Sequence, residues 1–114
     1  MIARAALVAI LALSLPTPAS AVTFGEIAAW CAPADQGGHP NLCSGYVDTE
    51  LELLASPDPT MNGGTRACVP ADEDRAKLVA LIRDYARSHP NARDQDAVVG
   101  LGQALSGHFP CHGK

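Results

Sequence analysis

Four cysteines constrain this chain of 114 residues more than any other feature of its sequence, namely Cys31, Cys43, Cys68 and Cys111. An even number of cysteines in a short exported chain is typical of a disulfide framework. A zinc site is the alternative use of four cysteines. The chain has no C-x-x-C pair, however, and the cysteine spacings of 12, 25 and 43 residues are unlike those of zinc fingers. We therefore expect two disulfide bonds and no metal site.

The first 21 residues have the pattern of a signal peptide. Arg4 gives a positive start, residues 5–15 are apolar, and Ala19-Ser20-Ala21 fits the small-x-small cleavage pattern. The apolar run is shorter than the roughly 20 residues that a membrane-spanning helix needs. The sequence therefore predicts a cleaved signal peptide over residues 1–21 and a single mature domain over residues 22–114, with no membrane association after cleavage.

The mature domain has 93 residues and is small enough to benefit from crosslinks. A domain of this size buries only about 60–65% of the surface that its unfolded chain exposes. Each disulfide bond is expected to add about 3–4 kcal/mol by restricting the unfolded chain.

Apolar residues recur at helical spacing in four segments, over about residues 24–31, 41–54, 70–87 and 94–108. Thr23 and Glu26 form a capping box before the first segment, and Asp94 is a plausible N-cap for the fourth. No segment shows the alternation of a β-strand. Trp30 lies off the apolar stripe of the first helix, where it either anchors a partner or covers a loop. The sequence predicts an all-α fold, a small four-helix bundle stapled by two disulfides.

The helix order favours one disulfide pairing. In an up-down bundle, Cys31 at the end of the first helix lies near Cys43 at the start of the second. Cys68 before the third helix and Cys111 after the fourth would meet at the opposite end. We favour Cys31–Cys43 and Cys68–Cys111 over the other two pairings, which the sequence alone does not exclude.

Charge is distributed unevenly along the mature chain. Without Arg4 it carries seven basic and twelve acidic residues, a net charge of −5 with neutral histidines. Residues 22–62 contain six acidic residues and no lysine or arginine. This balance argues against nucleic acid, because a basic surface supplies most of that affinity. It favours a basic protein partner on the first half, or simply a solvated acidic surface.

The sequence contains no pattern of a catalytic centre. It lacks a nucleophile elbow, a phosphate-binding glycine loop and an H-E-x-x-H motif. His108 and His112 flank Cys111, but we expect that cysteine to be bridged, and Pro110 prevents a helix from aligning the two histidines. We therefore expect no enzyme activity, no catalytic residue and no cofactor.

Four short motifs occur in order along the chain, C-S-G-Y at 43–46, C-V-P at 68–70, Tyr85 with His89-Pro90, and F-P-C at 109–111. The ordered set resembles the Rap/Tai immunity-protein family of Gram-negative bacteria and covers Thr23 to Cys111. This resemblance implies a periplasmic, all-α and often dimeric domain. It also implies a partner, a peptidoglycan amidase of the papain-like Cys-His type that is delivered by type VI secretion, whose substrate groove the immunity protein blocks.

The resemblance directs attention to two candidate partner-binding regions. One is the acidic part of the second helix, and the other is the loop over residues 58–66, whose composition looks specific to this chain. The candidate partner-binding residues are Asp48, Glu50, Glu52, Asp58, Asn62 and Arg66. Thr49 stands where family members often have a second glycine, so we expect the packing around the second helix to differ from theirs.

Two other functions fit an exported helical protein with disulfides. One is a periplasmic acid-stress chaperone similar to HdeA, which would unfold at about pH 2–3 and suppress aggregation of clients. The other is an orphan periplasmic binding protein without an effector. Four cysteines together with the F-P-C motif fit the immunity family better than a chaperone with a single disulfide.

Overall fold

The computed structural model describes residues 21–112. Residues 1–20 of the predicted signal peptide, and residues 113–114, lie outside the described part. Within it the chain forms five α-helices and no β-strand: α1 (Phe24–Trp30), α2 (Pro40–Ala55), α3 (Pro59–Asn62), α4 (Arg75–Ser88) and α5 (Ala97–Leu105). Short 3₁₀ turns cover Ala34–Gln36 and Pro90–Asp94. The predicted all-α fold is confirmed.

The core lies between four of these helices. α2 and α4 each pack against both α1 and α5, which also pack against each other. The largest side chains in this core are fully buried and come from all four helices, namely Phe24, Ile27, Val47, Leu54, Ile82, Leu101 and Leu105. None of the helices in residues 21–112 combines the length and hydropathy that crossing a membrane requires.

The start of α1 is held by the predicted capping box. The Thr23 hydroxyl accepts a hydrogen bond from the Glu26 amide at 3.1 Å, and the Glu26 carboxylate accepts one from the Thr23 amide at 2.9 Å. The Ala97 amide also donates to the Val22 carbonyl at 3.0 Å. These bonds fix the entry to α1 against the N-terminus of α5.

Both predicted disulfide bonds are present. Cys31 pairs with Cys43 and Cys68 pairs with Cys111, each with a Cα–Cα distance of 4.9 Å. Cys31 follows α1 and Cys43 lies in the first turn of α2, as the helix order indicated. The second bond joins the segment before α4 to the segment after α5, where the Cys68 amide also donates to the Phe109 carbonyl at 2.8 Å.

The structure corrects three features of the predicted bundle. A fifth helix, the single turn α3, lies inside the predicted loop because Asp58 caps it and Pro59 occupies its first position. α4 begins at Arg75 and not near Pro70, because Asp74 is its N-cap and accepts from the Ala76 amide at 3.0 Å. α5 begins at Ala97 and not at Asp94, which belongs to a 3₁₀ turn.

Glycines in α5 permit close packing of this helix against its neighbours. A Cβ atom placed on Gly100 would lie 2.4 Å from the Cβ of Phe24, a fully buried side chain of α1. A Cβ on Gly102 would lie 2.6 Å from the Thr65 carbonyl oxygen. α5 therefore tolerates the low helix propensity of glycine because only glycine lets its neighbours approach this closely.

Candidate functional site

A surface groove lies between α2 and the segment that leads into α4. It encloses about 560 Å³. Its apolar lining comes from Leu51, Ala55, Val69, Pro70, Ala71 and Leu78. Its charged lining comes from Asp48, Glu52, Glu73 and Arg75, three carboxylates and one guanidinium. We call it the acidic groove.

Two ion pairs organise the charges of the acidic groove. Arg75 of α4 contacts Asp48 of α2 at 2.5 Å, and Lys77 contacts Glu73 at 3.5 Å. Within residues 21–112 no side chain forms an ion pair with Glu52. The lining therefore keeps an excess of negative charge over an apolar floor, an arrangement that favours a cationic partner.

The chain over residues 58–66, called here the 58–66 segment, is built around α3. Asp58 accepts hydrogen bonds from the Thr60 amide at 2.9 Å and the Thr60 hydroxyl at 2.8 Å, and these bonds lower the pKa of the Asp58 carboxyl. Gly63, in the left-handed region at φ +71°, ends the helix. Hydrogen bonds within residues 58–66 therefore help to hold this segment in an ordered conformation.

Asn62 has an internal role in the 58–66 segment. Its side chain is 5% exposed. The Asn62 amide nitrogen donates to the Ser56 carbonyl at 2.8 Å, and the amide oxygen accepts from the Gly64 amide at 2.7 Å. Asn62 therefore holds the two ends of α3 in place, and a direct contact of this side chain with a partner stays a prediction.

Arg66 connects the 58–66 segment to the acidic groove. Its Nε donates to the Ala55 carbonyl at 2.9 Å, and Ala55 lines the groove at the end of α2. The structure therefore brings together three of the six predicted partner-binding residues: Asp48 and Glu52 in the groove, and Arg66 at the junction with the segment.

Glu50 lies apart from the other two acidic residues of α2. It lines a separate hollow with Tyr46 and Asp96. Burial, and secondarily the charge of Asp96, raise the pKa of the Glu50 carboxyl. The separation follows from helix geometry, because residues two apart in a helix point to different sides.

The sequence did not point to Glu73 and Arg75 as residues of the groove. Glu73 would lie in the first turn of the third helix predicted over about residues 70–87, where acidic residues suit the helix dipole. It lies before that helix instead, and its carboxylate faces the groove lining. The residues near Arg75 in the sequence do not indicate its place in the groove, because its partner Asp48 is distant in the sequence.

A second surface of α2 is apolar and partly exposed. Leu42 and Tyr46 are 41% and 36% exposed, and they line a shallow hollow of about 300 Å³ with Gly45, Thr49 and other residues of the helix. The Trp30 ring packs against Tyr46 with its centroid 5.1 Å away and is partly buried. Trp30 therefore covers the α1–α2 junction. We call the surface of Leu42, Gly45, Tyr46 and Thr49 the apolar face.

Residues 21–112 contain no group of three histidine, cysteine or acidic side chains arranged to hold a metal ion. All four cysteines are engaged in disulfide bonds. The His89 ring stacks on Tyr85 at 3.8 Å between centroids, so it closes α4 through packing.

The chain matches the model of a known protein family. The family model of the Rap1a immunity proteins matches residues 23–111, from the capping threonine of α1 to the last cysteine. Comparison with curated proteins and with solved structures gives no significant match. The matched range contains both disulfide bonds and all the helices of the described residues 21–112. Because the match extends over most of its length, this chain belongs to the Rap1a immunity protein family.

Proposed function

We propose that this protein is exported to the periplasm and protects its producer by binding a peptidoglycan-amidase effector of type VI secretion. Family membership supports the immunity role. The structural observation that supports a protein partner is the acidic groove, which presents excess negative charge beside the ordered 58–66 segment. The mechanism is steric: the bound protein covers the substrate groove of the effector and needs no catalytic group of its own.

The acidic groove suits an effector whose contact surface is basic. Asp48 and Glu52 lie on the same side of α2, four residues apart. Such a surface attracts a cationic partner over a distance of several ångströms, which speeds association and makes it sensitive to salt. Met61 of α3 is 46% exposed, and its flexible apolar side chain would adapt to the partner beside this charged region.

The ordered form of the 58–66 segment supports its proposed role in recognition. A segment that is already shaped before binding loses less conformational entropy in the complex than a disordered loop. Asn62 and Arg66 provide this order through bonds to the carbonyls of Ser56 and Ala55 at the end of α2. The segment and the groove therefore act as one continuous contact surface.

We also propose that the apolar face forms a homodimer contact. Leu42 and Tyr46 expose apolar surface on one side of α2, and Gly45 leaves open space beside them. Sedimentation of the processed protein should show a dimer that Leu42→Glu dissociates. A monomer at all concentrations tested would rule out this contact without affecting the immunity proposal.

The immunity proposal is tested with a secreted peptidoglycan amidase, sought first among the products of the genes that neighbour the gene of this protein. We expect the purified protein to bind that enzyme and to stop its cleavage of peptidoglycan at a ratio near one to one. Replacing Asp48 and Glu52 together by lysine should weaken binding at least tenfold, whereas Asp35→Lys, on the exposed 3₁₀ turn after α1, should change it little. Full amidase activity in the presence of excess wild-type protein would refute the proposal.

The export step is tested separately. The mature protein should begin at Val22, which the intact mass of protein recovered from the periplasm would show. Retention of residues 1–21 in the folded protein would contradict the proposed signal peptide.

A further inference from the structure

A hollow beside α2 brings two carboxylates close to the start of the mature domain. It encloses about 260 Å³ and is lined by Ala21, Val22, Tyr46, Glu50, Asp96, Ala97 and Val98. Glu50 comes from α2, and Asp96 is the residue immediately before α5. The lining contains no lysine, arginine or histidine, so no basic side chain of residues 21–112 lies in the hollow to balance its two acids.

The position of Val22 in this hollow is fixed by hydrogen bonds on its C-terminal side. The Val22 carbonyl accepts from the Ala97 amide at 3.0 Å, and the Phe24 amide donates to the Gln95 carbonyl at 2.9 Å. Between them, Thr23 pairs with Asp96 through an isolated β-bridge. Val22 also packs against the core. The backbone therefore cannot carry Val22 away from Asp96 without breaking the entry to α1.

The negative charges of Glu50 and Asp96 repel each other without compensation as long as a peptide bond joins Val22 to the preceding residue. Burial and the neighbouring charge of Asp96 raise the pKa of the Glu50 carboxyl. Tyr46 also lines the hollow, but a phenol side chain has no cationic form that could balance the two acids. In the precursor the nitrogen of Val22 belongs to a neutral peptide bond.

We infer that cleavage after Ala21 places the new α-ammonium group of Val22 against Glu50 and Asp96, so that maturation supplies the missing cation. The inference rests on the proposed signal-peptide cleavage and adds a structural consequence to it. Hydrolysis of the peptide bond between Ala21 and Val22 leaves a carboxylate on the released peptide and an amine on Val22, which takes up a proton at neutral pH. The ion pair joins α1, α2 and α5, and it exists only in the processed protein.

The test measures the pKa of the Val22 α-amino group by NMR titration of processed protein recovered from the periplasm. An unperturbed α-amino group titrates at about 7.7–8.0. Beside two carboxylates we expect a pKa about one unit higher. Glu50→Gln and Asp96→Asn should each lower that pKa toward the ordinary value, and both changes retain side-chain size.

Glu52→Gln is the matched control, because it removes the same charge from the same helix on the side of the acidic groove. We expect it to leave the α-amino pKa unchanged. An ordinary α-amino pKa in the wild-type protein, or an equal decrease of that pKa in the Glu52→Gln variant, would overturn the inference. Neither result would bear on the proposed binding of an effector. A mature chain that starts at another residue would overturn the inference together with the proposed cleavage site.

Discussion

The guanidinium of Arg75 lies 2.5 Å from a carboxylate oxygen of Asp48 and joins α4 to α2 across the acidic groove. The side chains of Arg75 and Asp48 are 45% and 58% exposed, respectively. Exposed ion pairs contribute only about 0.2–1 kcal/mol to stability. We therefore infer that this contact shapes the groove and adds little stability, because it fixes the position of the Asp48 carboxylate.

Replacing Asp48 by asparagine should separate recognition from stability. We expect the free energy of unfolding to change by less than about 1 kcal/mol, because the pair is exposed. We expect the association rate with a basic effector to fall about threefold to tenfold at low salt, because the long-range attraction is weaker. Stopped-flow binding and chemical denaturation measure the two quantities. Asp35→Asn, which removes the same charge outside the groove, serves as the control.

Alanine should have opposite effects at two helical glycines. Gly100→Ala places a methyl group 2.4 Å from the buried Phe24 side chain, and we expect it to destabilise the protein by about 1–3 kcal/mol. Gly45→Ala in α2 meets no atom within 4 Å, and its better helix propensity should stabilise by up to about 1 kcal/mol. Thermal unfolding of both variants at low concentration tests the packing of α5. Equal stability of the two variants would contradict the packing described for Gly100.

The two disulfide bonds should differ in their effect on stability. Cys68–Cys111 spans 43 residues and Cys31–Cys43 spans 12. From the entropy of loop closure we expect removal to cost about 4 kcal/mol for the longer loop and about 3 kcal/mol for the shorter. Denaturation of the two paired cysteine-to-alanine variants compares them. A greater loss from the shorter loop would show that native packing, and not loop length, sets the order.

Asn62→Ala should loosen the 58–66 segment. It removes the hydrogen bonds to Ser56 and Gly64 and leaves the partly buried Ser56 carbonyl without that partner, at a cost of about 1–3 kcal/mol. Hydrogen exchange should increase mainly in residues 58–66, and effector affinity should fall with it. Met61→Ala, which shortens an exposed side chain of the same segment and removes no hydrogen bond to Asp58 or Asn62, is the control for hydrogen exchange. Unchanged exchange in the variant would contradict the internal role of Asn62.

The raised pKa of Glu50 predicts a pH dependence for protein that retains residues before Val22. A carboxyl whose pKa is raised by folding favours the folded state while it is protonated, and this contribution is lost as the pH increases through the folded-state pKa. Glu50→Gln should therefore stabilise such a protein at pH 7 and have little effect at a pH well below the ordinary value of the carboxyl. Denaturation at both pH values measures the difference.

Structural features that depend on residues close together in the sequence could be predicted from it. Thr23 and Glu26 are three apart and cap α1 as expected. The disulfide pairing followed from the order of helices and cysteines. α3 also had a local signal, because Asp58 followed by Pro59 is typical of a helix start, but the surrounding prolines and glycines were interpreted as a loop.

Features that depend on distant residues could not be predicted in this way. The acidic residues before Arg75 look like a first helical turn, yet Cys68 ties the preceding chain to Cys111 and to the Phe109 carbonyl. Because of this tertiary constraint, α4 begins only at Arg75, directly after its N-cap Asp74. The acidic groove likewise joins α2 to α4, and no local pattern states that Asp48 meets Arg75.

The cysteine pairs close residues 31–43 and 68–111 into covalent rings. Residues 44–67, which hold most of α2 and the whole 58–66 segment, lie between these rings and belong to neither. Amino-acid changes in this stretch leave both ring closures in place. The proposed recognition residues of this stretch can therefore diversify against an altered effector while the crosslinked frame stays the same.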